Sequence, residues 1–229
     1  MEPPSLDLKI IHLLAPIQTE PFWVDAVSIL SQNSLVNGFV FVLPLFLYWS
    51  FSEGEGRRSA QRLVVTILIA TLIGIFSSLL AQQIVRWPPP VSHPALADLY
   101  SPEFRDNVNL NSFPSDSTIL FSTVALGLAA WNRGLSAGLL VWLLLFVAPL
   151  KVLAGGHYPS DILAGLLLGY GSIRAAEQIV RRVTASQKLI SNQSLLFRAG
   201  LVLWMFEIGN EFRNVTALLH GVMHIQRHL

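Results

Sequence analysis

Lys151-Val-Leu-Ala-Gly-Gly-His157-Tyr-Pro-Ser-Asp161 is wedged between two apolar runs, 135–153 and 160–180. Each run approaches the length of about 20 residues that a spanning helix needs, so the segment places polar chemistry where a membrane helix meets water. Gly155 and Gly156 let backbone N–H groups come close to an anion. Pro159-Ser160 reads as a helix start whose positive dipole end faces the same spot. Lys151 adds a full charge. His157 is a candidate nucleophile or general acid/base, and Asp161, four residues on, is placed to hold one imidazole tautomer and to stabilise its charged form. Together these residue types suit an anionic phosphate.

The rest of the 229-residue chain sets the class. Hydrophobic residues make up 52% and charged residues 13%, which is too apolar for an ordinary soluble domain. The apolar residues come in blocks at 35–51, 62–85, 115–131, 135–153, 160–180 and 194–209, the last interrupted by Arg198 and Glu207. These runs are apolar on every face, whereas barrel strands would alternate, so the expected class is all-α: a polytopic bundle of about six spans. Residues 6–31 carry Lys9, His12, Glu20 and Asp25 and are interrupted by Pro16 and Pro21. The expectation there is short helices lying at the interface. The division is an interfacial segment 1–34, a bundle 35–209 and an amphipathic tail 210–229, where His220, His224 and His228 recur at helical spacing. Met1-Glu-Pro-Pro-Ser-Leu-Asp7 lacks the basic start of a signal peptide. With no cysteine, thiolate nucleophiles and thiolate metal sites are excluded. A net charge of +1 argues against a nucleic-acid partner.

Under these spans Arg57, Arg58, Arg62, Arg133, Arg174, Arg181, Arg182 and Lys188 fall on one side, against Arg86, Arg105 and Lys151 on the other. The rich side is expected to be cytoplasmic. The loop 86–114 and the His157 segment then share the outer face, within reach of lipid head groups. That loop opens with Arg86-Trp-Pro-Pro-Pro90 and closes with Ser112-Phe-Pro-Ser-Asp-Ser117. Ser115 reads as an N-cap whose backbone N–H could also meet phosphate, and the Arg86 fork suits phosphate oxygens.

In order and spacing, residues 60–180 resemble the type 2 phosphatidic acid phosphatase and vanadium haloperoxidase superfamily. Its motifs are Lys-x6-Arg-Pro, Pro-Ser-Gly-His and Ser-Arg-x5-His-x3-Asp. Here the third runs from Lys151, in place of the arginine, through His157 to Asp161; the second reads Pro114-Ser115-Asp116-Ser117; and Arg86 stands near the arginine of the first. The resemblance implies a helical membrane fold and a His157 nucleophile oriented by Asp161. Lys151, Arg86, Ser115, Ser117 and Gly156 would bind phosphate. It implies a membrane lipid phosphate or polyprenyl diphosphate as substrate, in a bacterial inner membrane, with no cofactor and no metal.

The family histidine that protonates the leaving group is Ser117 here. Its absence opens a second reading, a catalytically silent relative acting as a lipid-binding or scaffold subunit with a protein partner. His93, and Asp116 if buried, are the candidates for a substitute acid. The plainer readings are a solvated loop histidine at His93, a snorkelling Lys151 and an interfacial anchor at Arg86.

Overall fold

The computed structural model describes residues 2–104, 111–183 and 195–212, and all its regular structure is helical. Helices α1 (Ser5–Thr19) and α2 (Pro21–Gln32) precede a π-helical turn, Leu35–Phe39, that runs into α3 (Val40–Phe51). Then come α4 (Gly54–Ile84), α5 (Asp116–Leu128), α6 (Arg133–Trp142) continuing through a second π turn into α7 (Ala148–Leu153), α8 (Pro159–Val183) and α9 (Leu195–Gly209). Short 3-10 turns at Pro90–Ser92, Ala97–Leu99 and Pro102–Phe104 fold the outer loop. Each of the six apolar blocks has become a helix.

By length and composition, Gly54–Ile84 and Arg133–Leu153 are long and apolar enough to cross a membrane. Pro21–Gln32 with Leu35–Phe51, bent by 60°, forms a third candidate. Asp116–Leu128 is shorter than a full span. It is wrapped by protein instead: Phe121, Val124, Ala125 and Leu128 are completely buried. The sequence expectation needs one correction in α1. Pro16 lies inside that helix and does not break it, whereas Pro21 opens the next one at the first-turn position that proline tolerates. The histidines of the tail and the last residues of the amphipathic segment lie outside the described residues.

The heart of the bundle is α4, α5 and α8, packed on one another. Small residues at i, i+4 allow this approach. A Cβ at Gly165 would meet the Ser115 carbonyl oxygen at 2.9 Å, and one at Gly169 would meet Ser122 Oγ at 2.1 Å. The α5 and α8 starts are thereby pressed together, and the Ser115 N–H donates to the Asp161 carbonyl at 3.2 Å. At the other end of the bundle Tyr48 stacks on Trp131 at 4.2 Å, beside a cavity that Arg62 and Arg181 also line. The arginine-rich helix ends are therefore gathered opposite the His157 segment. Helix α9 returns along α3 and the first π turn, bringing its C-terminal end to the Lys151 side.

Candidate active site

Asn111 is the residue that stitches the returning outer loop to the end of α4. Its amide donates to the carbonyls of Gln82 at 3.2 Å and Val85 at 2.7 Å, capping orphan acceptors of that helix. Its Oδ1 accepts from the N–H groups of Trp87 and Phe113, each at 3.2 Å. Next to it, Ser112 N–H donates to the Trp87 carbonyl at 2.8 Å. With Ser112 so fixed, its own carbonyl is aimed at the His157 turn, where His157 Nδ1 lies 2.7 Å away.

This contact selects a tautomer. A carbonyl oxygen only accepts, so Nδ1 carries the proton and Nε2 of the neutral ring keeps its lone pair. The sequence pointed to Asp161 for this task. The Asp161 Oδ2 atom instead sits 3.8 Å from Nδ1, close enough for charge attraction but too far for a hydrogen bond. Asp161 is completely buried, and Oδ2 accepts from the Tyr158 N–H at 2.7 Å. Its Oδ1 has no hydrogen-bond partner among the described residues. A buried carboxylate with an unsatisfied oxygen is costly, and the imidazole beside it is the group whose positive form it would stabilise. Burial, with the Asp161 charge second, pushes the Tyr158 phenol well above its ordinary range, so Tyr158 stays neutral.

Lys151 leaves α7 as a last-turn cation. Its backbone carbonyl accepts from Gly156 N–H at 3.1 Å and, more loosely, from His157 N–H at 3.4 Å, so the α7 end and the His157 turn close on each other. Gly155 makes that turn possible with φ of +71°. Its carbonyl accepts from Val91 N–H at 3.1 Å, and a Cβ there would press on Val91 at 2.7 Å. The Gly156 N–H expected to face an anion is thus engaged by Lys151. The Ser115 N–H is likewise engaged by Asp161, and Ser115 Oγ accepts from Thr118 Oγ1 at 3.0 Å, in a residue with no exposure.

The α8 start carries its own anion. Asp7, 2% exposed on α1, accepts from Ser160 N–H at 3.0 Å and from Ser160 Oγ at 2.5 Å. The dipole end that the sequence assigned to a ligand is therefore capped from within the chain. Arg86 is exposed and makes no hydrogen bond or ion pair among the described residues. Asp116 is also exposed, and it accepts from Ser78 Oγ and from Gln82 Nε2. His93 accepts from Ala95 N–H at 3.3 Å within its own turn.

The residue that sequence reading missed is Glu211. Its carboxylate lies 3.0 Å from Lys151 Nζ through both oxygens, and Oε2 accepts from Ser117 Oγ at 3.0 Å. No motif announces it. The available signal was a carboxylate placed just past the last apolar block, where an antiparallel return brings it to the outer face.

Residues 60–185, just over half of the chain, match the PAP2 superfamily. The chain belongs to that family. It is similar to the putative undecaprenyl-diphosphatase YbjG of Escherichia coli (strain K12), 26% identical over 173 residues that cover 72% of this chain and 78% of the relative. It is also similar to the bacitracin transport permease protein BcrC of Bacillus licheniformis, 29% identical over 133 residues, 57% of this chain and 60% of the relative. Among solved structures, LpxE of Aquifex aeolicus shares the fold with a TM-score of 0.53 at 20% identity, covering 78% of this chain and 98% of that one. The protein is therefore an all-helical membrane member of the PAP2 lipid phosphatase family. Against the motifs quoted above, the chain departs at Ser117, at Lys151, at Leu150 and in the first motif, where Trp87 follows Arg86 and, counted back from Arg86, the lysine position falls on Leu79, whereas His157 and Asp161 match.

Proposed function

We propose that this PAP2 protein is a phosphatase or phosphotransferase for a lipid diphosphate, with His157 as its nucleophile at the non-cytoplasmic membrane face. The observation that carries the reading is the 2.7 Å contact of His157 Nδ1 with the Ser112 carbonyl, which reserves Nε2 for attack. Nε2 forms a bond to phosphorus as the bond to the leaving oxygen breaks, giving a phosphohistidine that water hydrolyses or an acceptor takes over. The ring becomes cationic in this step, and the buried Asp161 carboxylate 3.8 Å from Nδ1 favours that form. Lys151 and Arg86 neutralise the phosphoryl oxygens, and Ser117 donates a hydrogen bond to them.

Ser117 decides the substrate class. An alkoxide leaving a phosphate monoester is a strong base and needs a proton, which a serine cannot deliver near neutral pH. A phosphate leaving a diphosphate is a far weaker base, with a second pKa of about 6. The name of the Escherichia coli relative, an undecaprenyl-diphosphatase, supports a polyprenyl diphosphate. The Lys/Arg asymmetry of the loops supports the outward-facing site. A second reading, a silent lipid-binding or scaffold subunit, draws on the Glu211 carboxylate that lies across Lys151 and Ser117.

Phosphate release by the purified protein from a polyprenyl diphosphate and from phosphatidic acid separates the two. The enzyme releases phosphate from the diphosphate, and His157→Ala abolishes the release. No release from either lipid assigns the chain to the silent reading.

A further inference from the structure

Helix α9 ends at Gly209, and the chain then turns through Glu211 and Phe212, both at φ of +55°. The left-handed region is costly for residues with a Cβ, so something must hold this turn in place. Three contacts do. Phe212 N–H donates to the Glu207 carbonyl at 2.8 Å, the Phe212 ring packs edge-on against Trp204 at 5.0 Å, and Asn210 Oδ1 accepts from Ser34 Oγ at 3.0 Å. The result is a carboxylate fixed against Lys151 and Ser117, with the Lys151 and Glu211 side chains only 13% and 15% exposed. These are the positions at which the family pattern carries its third-motif arginine and its acid histidine. The anion on the phosphate-binding groups is thus the protein's own.

We infer that Glu211 is a specificity-determining residue, a resident carboxylate that the phosphate of a substrate must displace from Lys151 and Ser117. Two anions on one partly buried ammonium repel each other, so binding is an exchange and not an addition. In such an exchange the more highly charged ligand wins. A carboxylate carries one negative charge, a phosphate monoester about 1.5 to 2, and a diphosphate more, spread over two phosphoryl groups. Glu211 therefore biases the site toward diphosphates and against monoesters and stray carboxylates. The substrate class rests on the proposed function; the displacement itself does not.

Inorganic phosphate tests the displacement without turnover. Its binding to the purified full chain is measured by calorimetry at fixed pH and ionic strength, for wild type and Glu211→Gln, with thermal melts to establish folding. The exchange predicts about tenfold or more tighter binding by the variant, since a competing charge has been removed. Glu211→Asp, whose shorter side chain draws the carboxylate back, should lie between them, and it decides the matter if the glutamine variant does not fold. Equal or weaker binding by the folded variant, or no binding by either protein, overturns the inference. In the lipid assay Glu211→Gln should lower KM for the monoester more than KM for the diphosphate. Tighter phosphate binding in a chain that hydrolyses neither lipid removes the proposed function and leaves the displacement standing. Hydrolysis with an unchanged KM ratio and unchanged phosphate binding removes the inference alone.

Discussion

His157 Nδ1 and the Ser112 carbonyl oxygen are 2.7 Å apart across 45 residues of chain, and this contact joins the outer loop to the turn that opens α8. Its geometry depends on how firmly Ser112 is held, which Asn111 controls through four hydrogen bonds to the end of α4, to Trp87 and to Phe113. The orientation of the His157 ring is therefore set from a different element than the one that carries it.

Asn111→Ala should accordingly cost about 1 kcal/mol or more of stability, because half-buried helix-end carbonyls lose their donor. Phosphate release should fall mainly in kcat, since the imidazole loses its orientation while the charged phosphate contacts remain. Thermal melts and Michaelis curves on the lipid diphosphate measure both. An unaltered kcat would separate the loop from the reaction.

Substituting Ser117 tests the leaving-group argument. Ser117→His restores an acid at the family position and should raise monoester turnover more than diphosphate turnover, by roughly a hundred- to ten-thousand-fold if full acid catalysis is regained. Parallel rates on phosphatidic acid and a polyprenyl diphosphate give the comparison. A uniform change in both would show that the proton is not what the monoester lacks.

Asp7 acts from the far N-terminal helix. Removing its carboxylate in Asp7→Ala leaves the Ser160 N–H and the dipole of α8 uncapped. The expected loss is about 0.5–2 kcal/mol, seen as a lower melting temperature in detergent. Asp7→Asn keeps an acceptor and should recover part of it. Equal melting of all three proteins would mean that α1 does not hold the α8 start.

Sidedness follows from the grouping of helix ends. Single cysteines placed at positions 93 and 133 of this cysteine-free chain should react with an impermeant reagent from opposite sides of the membrane. Labelling of both from one side would contradict the outward-facing site.

Much of this molecule could be read from the chain alone, because membrane burial is a local requirement. A run of apolar residues must form a helix to satisfy its own backbone, so the six blocks became helices whatever their neighbours were. The polar stretches between the runs then fell at helix ends. His157, Lys151 and Asp161 were visible for the same reason, being close in sequence within one turn. Partners contributed by distant segments were not visible. Whether His157 meets Asp161, at 3.8 Å, or the Ser112 carbonyl, at 2.7 Å, depends on placements set by the Gly165 and Gly169 crossing and by the Asn111 cap. Asp7 and Glu211 carry no motif, since a carboxylate can cap a helix or pair with a lysine from any part of the chain that packing brings near. Tertiary structure alone decided that the N–H groups of Ser115, Gly156 and Ser160 are already engaged and that a carboxylate rests on Lys151. Hydrogen bonds and ion pairs are short-ranged, and only the packed bundle determines which groups come within their reach.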